Sequence, residues 1–321
     1  MKIFGSTSLI AMAIIAIIIG HGCTKDEIDV KKPNPMVVEH LSEISADSLE
    51  SYVRWLAGMG SRWALNENRR EVAMAIKSRL ISFGYPLTHL DSFEIYTYNT
   101  LLNDSFEYWQ YNVVAAVQGS IYPDSIYIVG GHYDSIISSW EQLDTNAPGA
   151  NDNASGVAAM LEIARVMRVK GFKPQSTIKF IAFGAEELGL YGSYAQAEKA
   201  KDNDEAVSMM LNNDMIAYWP GNEPYVWAVN IIDYPNSLSL RLTAEEICNL
   251  YTTLRATNDN QFAARSDSYP YFLNGFRALF FHNGVTDPNF HTQRDIPDSL
   301  NFEYCREITK LSYAMLMKHN I

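Results

Sequence analysis

Two histidines and three carboxylates in this chain have the residue types of a metal site. They are His132, Asp152, Glu187, Asp214 and His291. Zinc binds histidine nitrogen and carboxylate oxygen, and a catalytic site leaves one coordination position open for water. A set without cysteine suits a hydrolytic metal centre better than a structural one. If Asp152 bridges two ions, the other four residues divide evenly, with one histidine and one carboxylate for each ion.

The carboxylate of Asp152 has a second interpretation, as the N-cap of a helix. It lies in a small-residue loop at residues 148–156, and the apolar residues that follow recur at i, i+3, i+4, i+7 and i+10, which predicts a helix with one buried face. These apolar residues are Val157, Met160, Leu161, Ala164 and Met167. Aspartate is a common N-cap, so Asp152 taken alone favours capping. The other four candidate ligands favour metal binding.

Three apolar segments are predicted to be buried strands, and each is followed by candidate residues. The segments are 125–132, which ends at His132, 177–183, which precedes Glu186 and Glu187, and 207–211, which precedes Asp214. Open α/β sheets carry their sites at the C-terminal ends of such strands. We therefore expect these side chains to meet at one edge of a sheet.

The remaining patterns complete a single α/β domain. Helices are predicted at 45–57, 67–83, 237–251 and 300–318, and further strands at 92–98, 109–117 and 277–282. His291 falls in a loop at 288–292. Because no internal repeat or second domain boundary is visible, we expect one catalytic domain over residues 39–321.

Composition excludes some partners. The chain has 321 residues, of which 47% are hydrophobic, which is enough for one large core. A net charge of -12 argues against a nucleic-acid partner, because such binders concentrate lysine and arginine on one face. Cys248 and Cys305 either pair or stay buried as free thiols. The sequence does not fix the oligomeric state.

The N-terminal segment resembles a bacterial lipoprotein signal. Residues 1–22 contain Lys2 and an apolar run at 9–19, and small residues precede Cys23. Spanning a bilayer takes about 20 apolar residues, so this run is too short for a transmembrane helix. We expect cleavage before Cys23, a lipid on that cysteine and a tether over residues 23–38. The exported protein would be periplasmic or anchored at the outer membrane or cell surface, and would meet the membrane only through that lipid.

Five segments carry the candidate residues. They are 131–135 (GHYDS), 149–156 (GANDNASG), 183–193 (FGAEELGLYGS), 213–215 (NDM) and 290–295 (FHTQRD). In type and order they resemble the motifs of the di-zinc aminopeptidase family, which includes bacterial leucyl aminopeptidases. The resemblance covers roughly residues 40–321.

This resemblance implies two Zn²⁺ ions and a role for each ligand. His132 and Asp214 would hold one ion, Glu187 and His291 the other, and Asp152 would bridge them. It also implies a mixed, mostly parallel sheet of about eight strands between helices. A peptide with a free N-terminus would be the substrate. A non-proline cis peptide bond would follow Asp152.

The resemblance also implies that Glu186 is the general base. Because Glu186 directly precedes the ligand Glu187, the two side chains point in different directions, and Glu186 can face the water that two zinc ions acidify. Asp134 lies two residues after His132, where it can accept the second N–H of the imidazole. A turn-capping role is the alternative for Asp134.

One departure from the family pattern affects the substrate pocket. Family sequences usually have Ser-Asp-His where this chain has Ser-Asp-Ser at residues 266–268, which leaves the preferred side chain open. Met215, Tyr271 and Phe272 are candidate walls of an apolar pocket. Ordinary core packing is the alternative for each of them.

Glutaminyl cyclases, which share the fold and many of the motifs, provide the alternative function. They use a single zinc ion on the equivalents of Asp152, Glu187 and His291. Those cyclases typically have tryptophan before the last histidine, whereas this chain has Phe290. A non-enzymatic relative would have lost ligands, whereas all five ligands and Glu186 are present here.

Overall fold

The structure, a computed structural model, describes residues 32–99, 104–138 and 146–321. The predicted signal peptide, Cys23 and residues 24–31 of the predicted tether lie outside the described residues. Residues Pro33–Ile321 form one unit. Within the described ranges, no helix combines the length and the apolar character that crossing a bilayer requires.

Eight strands and eight α-helices occur in the described part of the chain. The strands are β1 (His89–Asn99), β2 (Asp104–Val117), β3 (Tyr122–His132), β4 (Ser176–Phe183), β5 (Ala206–Asn213), β6 (Ala228–Asp233), β7 (Arg255–Thr257) and β8 (Ala278–Asn283). The helices are α1 (Pro35–Leu41), α2 (Ala46–Ala57), α3 (Arg69–Ser82), α4 (Ser155–Val169), α5 (Tyr191–Asp202), α6 (Leu238–Tyr251), α7 (Ser268–Leu273) and α8 (Phe302–Lys318).

All eight strands belong to one mixed sheet, in the order β1-β2-β4-β3-β5-β8-β6-β7. The central strands β4, β3, β5 and β8 run parallel to one another. Val129 of β3 lies opposite Phe180 of β4 and Leu211 of β5. The strands β1, β2 and β6 join this group through antiparallel pairs. The predicted fold class is therefore confirmed.

Helices cover both faces of the sheet because side chains alternate along each strand. Val113 and Ala115 of β2 face the larger core, which also contains side chains from α1, α2, α3, α4, α6 and α8. Val114 points the other way, into a smaller core with residues from α5 and α7. Apolar burial on both faces is the main force that holds the layers together. It gives the central strands fixed positions from which to present a site.

Helix α1 corrects the predicted boundary of the tether. The tether is predicted to reach residue 38, but α1 begins at Pro35, where the side chain of Asn34 accepts the N–H of Met36. Val37 and Leu41 are buried in the larger core. These packed side chains make α1 part of the folded domain. The sequence patterns also missed α5, α7, β6 and β7, which are short or mix small and charged residues.

The two cysteines of the domain are free thiols. Cys248 of α6 and Cys305 of α8 are both buried and unpaired. Burial raises the pKa of Cys248 to about 11 and the pKa of Cys305 to about 12. The sequence left open whether Cys248 and Cys305 form a disulfide or stay buried as free thiols. In the structure they are buried free thiols.

Replacing Leu41 by alanine should destabilise the domain. Leu41 is 4% exposed, and removing a buried leucine side chain costs about 2–5 kcal/mol. Val38→Ala is the matched control, because Val38 lies on the same helix and is 48% exposed, and surface changes are usually within about 0.5 kcal/mol. Denaturant unfolding of both variants measures the difference. Equal stability of the two variants would indicate that α1 belongs to the tether and not to the folded domain.

Candidate metal centre

The C-terminal ends of adjacent strands bring the predicted ligands to one edge of the sheet. His132 is the last residue of β3, and Asp214 follows β5 directly. Glu187 lies shortly after β4, and the chain after β8 reaches His291. Asp152 lies between β3 and α4. Because β4, β3, β5 and β8 are parallel neighbours, all five residues meet there.

Asp152 directs its two carboxylate oxygens to different histidines. Its Oδ1 lies 3.2 Å from Nε2 of His132, and its Oδ2 lies 3.0 Å from Nε2 of His291. Nε2 of His132 is also 3.6 Å from Oδ1 of Asp214. Nε2 of His291 is 3.0 Å from Oε2 of Glu187. Ligand atoms around a tetrahedral zinc ion with bonds of about 2.0–2.1 Å are about 3.3 Å apart. The spacing fits metal coordination by these residues.

The helix-cap interpretation of Asp152 is wrong. Helix α4 has Ala154 at its N-cap position, and the first-turn N–H of Gly156 is donated to Oδ1 of Asn153 at 2.9 Å, not to Asp152. Residues Ala150–Ala154 form a π-type turn in which Asp152 and Asn153 have non-helical backbone angles. The peptide bond between Asp152 and Asn153 is cis, as the family resemblance implied. The carboxylate is thus free to face the histidines.

Asp214 shows that the residues fit a cation. Its Oδ2 accepts a hydrogen bond from the hydroxyl of Ser266 at 2.6 Å. Its Oδ1 is buried and has no hydrogen-bond donor among the described residues. A buried carboxylate oxygen without a partner costs free energy, and a metal ion at the predicted position would satisfy it. Together with the histidine nitrogens, this oxygen belongs to a donor set that zinc accepts.

Eight buried carboxylates crowd into this region. They are Asp134, Asp152, Glu186, Glu187, Asp214, Asp267, Asp287 and Asp295. Asp267 is fully buried, and burial raises its pKa to about 7. Burial likewise raises the pKa of Glu187 to about 7. The excess of negative charge favours a divalent cation at this edge.

The carboxylates hold protons on both histidines. At His291, burial opposes the charged imidazole, but hydrogen bonds to Asp152 and Glu187 outweigh it and raise the pKa to about 10. At His132, burial is again the largest effect and opposes the charge. The carboxylates of Glu186 and Asp214 nevertheless raise the pKa of His132 well above its usual range. A metal ion that binds here must displace these protons.

Asp134 holds the segment that carries Glu186 and Glu187. Its Oδ1 accepts the backbone N–H of Glu186 at 3.0 Å, and its Oδ2 accepts that of Glu187 at 3.1 Å. Nδ1 of His132 lies 3.5 Å from Oδ1 of Asp134, and 3.2 Å from its backbone oxygen. Asp134 thus contacts the predicted histidine, but its shortest contacts fix the two glutamates.

Strained backbone accompanies the site. Ala185, Met215 and His291 have φ angles of 59°, 56° and 53°. Side-chain-bearing residues rarely adopt this left-handed region, and each costs about 1 kcal/mol or more. The first precedes Glu186, the second follows Asp214, and the third is itself a predicted ligand. These unfavourable backbone conformations persist only because the surrounding contacts fix the segments.

Sequence reasoning missed the residues that support the ligands. The carboxylate of Asp295 accepts the backbone N–H groups of Asn151 at 2.7 Å and Asp152 at 3.0 Å. Asp287 accepts the side-chain amide of Asn151 at 2.8 Å. Asp295 closes the FHTQRD segment, which was its only sequence signal. Asp287 carries no such signal.

A cavity of about 630 Å³ opens beside the ligands. Its apolar lining includes Met215, Phe262, Phe280, Val285 and Phe290. The prediction that Met215 is a wall residue is therefore confirmed. The prediction for Tyr271 and Phe272 is wrong, because both pack in the smaller core.

Comparison with known proteins identifies relatives of the chain. Residues 112–316 match the model of a family described as peptidase family M28. A probable zinc metalloprotease of Pyrenophora teres f. teres is 29% identical over 89% of this chain and 67% of its own length. Another, of Pyricularia oryzae, is 33% identical over 61% of this chain and 40% of its own length. The chain thus spans two thirds of the first relative and less than half of the second.

Solved structures share the fold. The LapA aminopeptidase of Legionella pneumophila gives a TM-score of 0.74 at 23% identity, over 88% of this chain and 74% of that chain. A leucine aminopeptidase precursor of Bacteroides thetaiotaomicron gives 0.68 at 16% identity, over 85% and 97%. A glutaminyl cyclase of Fimbriiglobus ruber gives 0.66 at 15% identity, over 85% and 95%. These structures support the fold and leave the reaction open.

Zinc binding to chelator-treated protein should strengthen as pH rises. The pKa of His291 is raised to about 10, so His291 is protonated at neutral pH and zinc must displace that proton. Each displaced proton should change the affinity by about tenfold per pH unit. Calorimetric titration at about pH 6, 7 and 8, in buffers of different ionisation enthalpy, measures both the affinity and the protons released. A pH-independent affinity without proton release would contradict this assignment of ligands.

Proposed function

Because the chain belongs to peptidase family M28, we propose that it is a zinc-dependent aminopeptidase that removes the N-terminal amino acid from peptides with a free amine. The observation that carries the proposal is the orientation of Asp152, whose two oxygens face different histidines. That arrangement suits a two-ion hydrolytic site. The fold is shared with aminopeptidase structures.

The residues that would hold two zinc ions divide as the sequence suggested. His132 and Asp214 would bind one ion, Glu187 and His291 the other, and Asp152 both. When bound, the ions lower the pKa of a water molecule and polarise the carbonyl of the scissile peptide. The five side chains that would hold the ions lie close together at the edge of the sheet.

Glu186 would transfer the proton. It lines the cavity, and its Oε2 lies 3.9 Å from Nε2 of His132. Burial raises the pKa of Glu186 well above its usual range, which suits a base that works near neutral pH. Its carboxylate takes a proton from the attacking water as the C–O bond forms. It then gives the proton to the leaving nitrogen as the C–N bond breaks.

The cavity supports a substrate with an apolar first side chain. Phe262, Phe280 and Met215 offer apolar surface beside the ligands. The carboxylate of Asp287 lines the same cavity and would attract a protonated α-amine. The N-terminal residue of a peptide would therefore supply both an apolar side chain and a protonated amine for this cavity.

A glutaminyl cyclase is the second candidate function. The fold is shared with a cyclase structure, and Asp152, Glu187 and His291 would serve as its single zinc site. The ring of Phe290 stacks on His291 with centroids 3.7 Å apart, at the position where cyclases typically have tryptophan. The second pair of ligands, His132 and Asp214, favours the aminopeptidase.

Glu186→Gln should separate chemistry from metal binding. Glutamine keeps the shape of the side chain but cannot carry the proton, and general acid–base groups contribute about 10²- to 10⁴-fold to rate. We expect kcat to fall by that factor while zinc content, measured by atomic emission, stays unchanged. Glu198→Gln is the control, because Glu198 is exposed on α5. Turnover at the wild-type rate in the Glu186 variant would assign the base to another residue.

The products of the wild-type protein should distinguish the two functions. An aminopeptidase releases a free amino acid from a peptide with an unblocked amine, and does little to the same peptide after N-acetylation. A cyclase converts N-terminal glutamine to pyroglutamate with release of ammonia and cleaves no peptide bond. Mass spectrometry of both substrates identifies the product. Pyroglutamate formation without cleavage would replace the aminopeptidase by the cyclase.

We also propose that the chain is an exported lipoprotein anchored through Cys23. The proposal depends on the apolar run at 9–19 and the small residues before Cys23. Cys23→Ala should shift the protein from the membrane fraction to the soluble fraction, measured by fractionation and immunoblotting. A wild-type protein that is soluble and retains residues 1–22 would exclude the anchor.

A further inference from the structure

Arg62 is the one arginine or lysine that is buried among the described residues, with 1% of its surface exposed. Its guanidinium donates to backbone carbonyls from three parts of the chain. The acceptors are Tyr133 at 2.7 Å, Leu56 at 3.2 Å, Pro148 at 2.6 Å and Gly149 at 2.8 Å. Two of these carbonyls lie in the loop before Asp152, and a third follows His132 directly.

Burying a guanidinium costs free energy unless charge and hydrogen bonds offset it. Arg62 makes no ion pair within 4.0 Å among the described residues, although the negative charges of Asp295, Asp134 and Asp152 help to keep it charged. Its neighbours in contact are carbonyl groups. A structural salt bridge is therefore not its role. Its planar fork of donors suits the fixing of several carbonyls at once.

The loop before Asp152 is fixed from two directions. Arg62 binds its carbonyls, and Asp295 accepts the N–H groups of Asn151 and Asp152. Gly149 has a φ of 49°, and a Cβ there would lie 2.9 Å from Nη2 of Arg62 and 2.3 Å from the carbonyl oxygen of Asp152. The close approach of the Asp152 carbonyl oxygen, together with the positive φ, thus requires glycine at this position.

We propose that Arg62 is a positioning residue of the metal centre, which holds the bridging carboxylate of Asp152 between the two ion positions. It acts through the backbone at Pro148 and Gly149, and its contact at Tyr133 ties the same guanidinium to the strand that ends at His132. The inference depends on the proposed two-ion function. In this proposal, Arg62 fixes the distance between the bridging ligand Asp152 and His132.

Zinc affinity of the chelator-treated full chain tests this role. Arg62→Met removes all four hydrogen bonds, and Arg62→Lys keeps the charge but loses the fork. Groups that orient metal ligands typically change affinity by about 10- to 100-fold. We expect calorimetric titration to show a loss of this size for Arg62→Met and a smaller loss for Arg62→Lys. The visible spectrum of the cobalt-substituted protein should also change, because it reports ligand geometry.

Glu162→Gln is the matched control for lost stability. Glu162 is fully buried on α4, where it accepts the N–H of Ser45 and binds Arg165. The variant should lower the unfolding temperature of the metal-free protein but leave zinc affinity and the cobalt spectrum unchanged. Asp152→Ala, which removes the bridge itself, should lose both ions and sets the upper limit of the effect.

The outcomes separate the two proposals. Wild-type zinc affinity and spectrum in both Arg62 variants would overturn the positioning role while leaving the enzyme function intact. An equal loss of affinity in Glu162→Gln would also overturn it, because general destabilisation would then explain the effect. If Arg62→Met does not fold, the zinc affinity and cobalt spectrum of Arg62→Lys test the positioning role. A wild-type protein that binds no zinc would overturn the proposed function and this inference together.

Discussion

Repulsion among buried carboxylates is the constraint on which this structure depends. Eight of them gather at one edge of the sheet, and each buried charge without a partner costs several kcal/mol. Hydrogen-bond donors within the folded protein offset part of this repulsion. Backbone N–H groups are donated to Asp134 and Asp295, and Arg62 supplies a buried positive charge. The carboxylates of Asp152, Glu187 and Asp214 receive none of these donors, and a bound cation would offset their charge.

The fold makes such crowding possible because the ligands come from different elements. Strands β3 and β5 present His132 and Asp214 with little freedom, since both strands lie in the middle of the sheet. Asp152 and His291 lie outside strands and need contacts of their own. Asp152 has the hydrogen bonds to its loop, whereas the carbonyl of His291 accepts the N–H of Ser138 at 3.0 Å. Strand packing therefore fixes two of the five ligands, and local hydrogen bonds fix the other three.

The sequence predicted those parts that local pattern determines. His132 and Asp214 were found because apolar strands end beside them, and the helix after Asp152 because its apolar residues recur with helical spacing. Arg62 and Asp287 could not be found, because their roles depend on contacts with residues that are distant in sequence. These partners lie 71 to 87 positions from Arg62 and 136 positions from Asp287. Tyr271 was misplaced for a related reason. An aromatic residue near a motif looks the same in sequence whether it faces the cavity or the core.

The two proposed ion positions differ in how their histidines are held. His132 ends a central strand and its side chain is 1% exposed, whereas His291 belongs to a loop and its side chain is 23% exposed. Swinging the His291 ring outward requires only local motion of that loop, whereas moving His132 would disrupt the centre of the sheet. Ions at the two positions would therefore exchange with solution at different rates. The position with Glu187 and His291 would be the labile one, and the position with His132 and Asp214 the long-lived one.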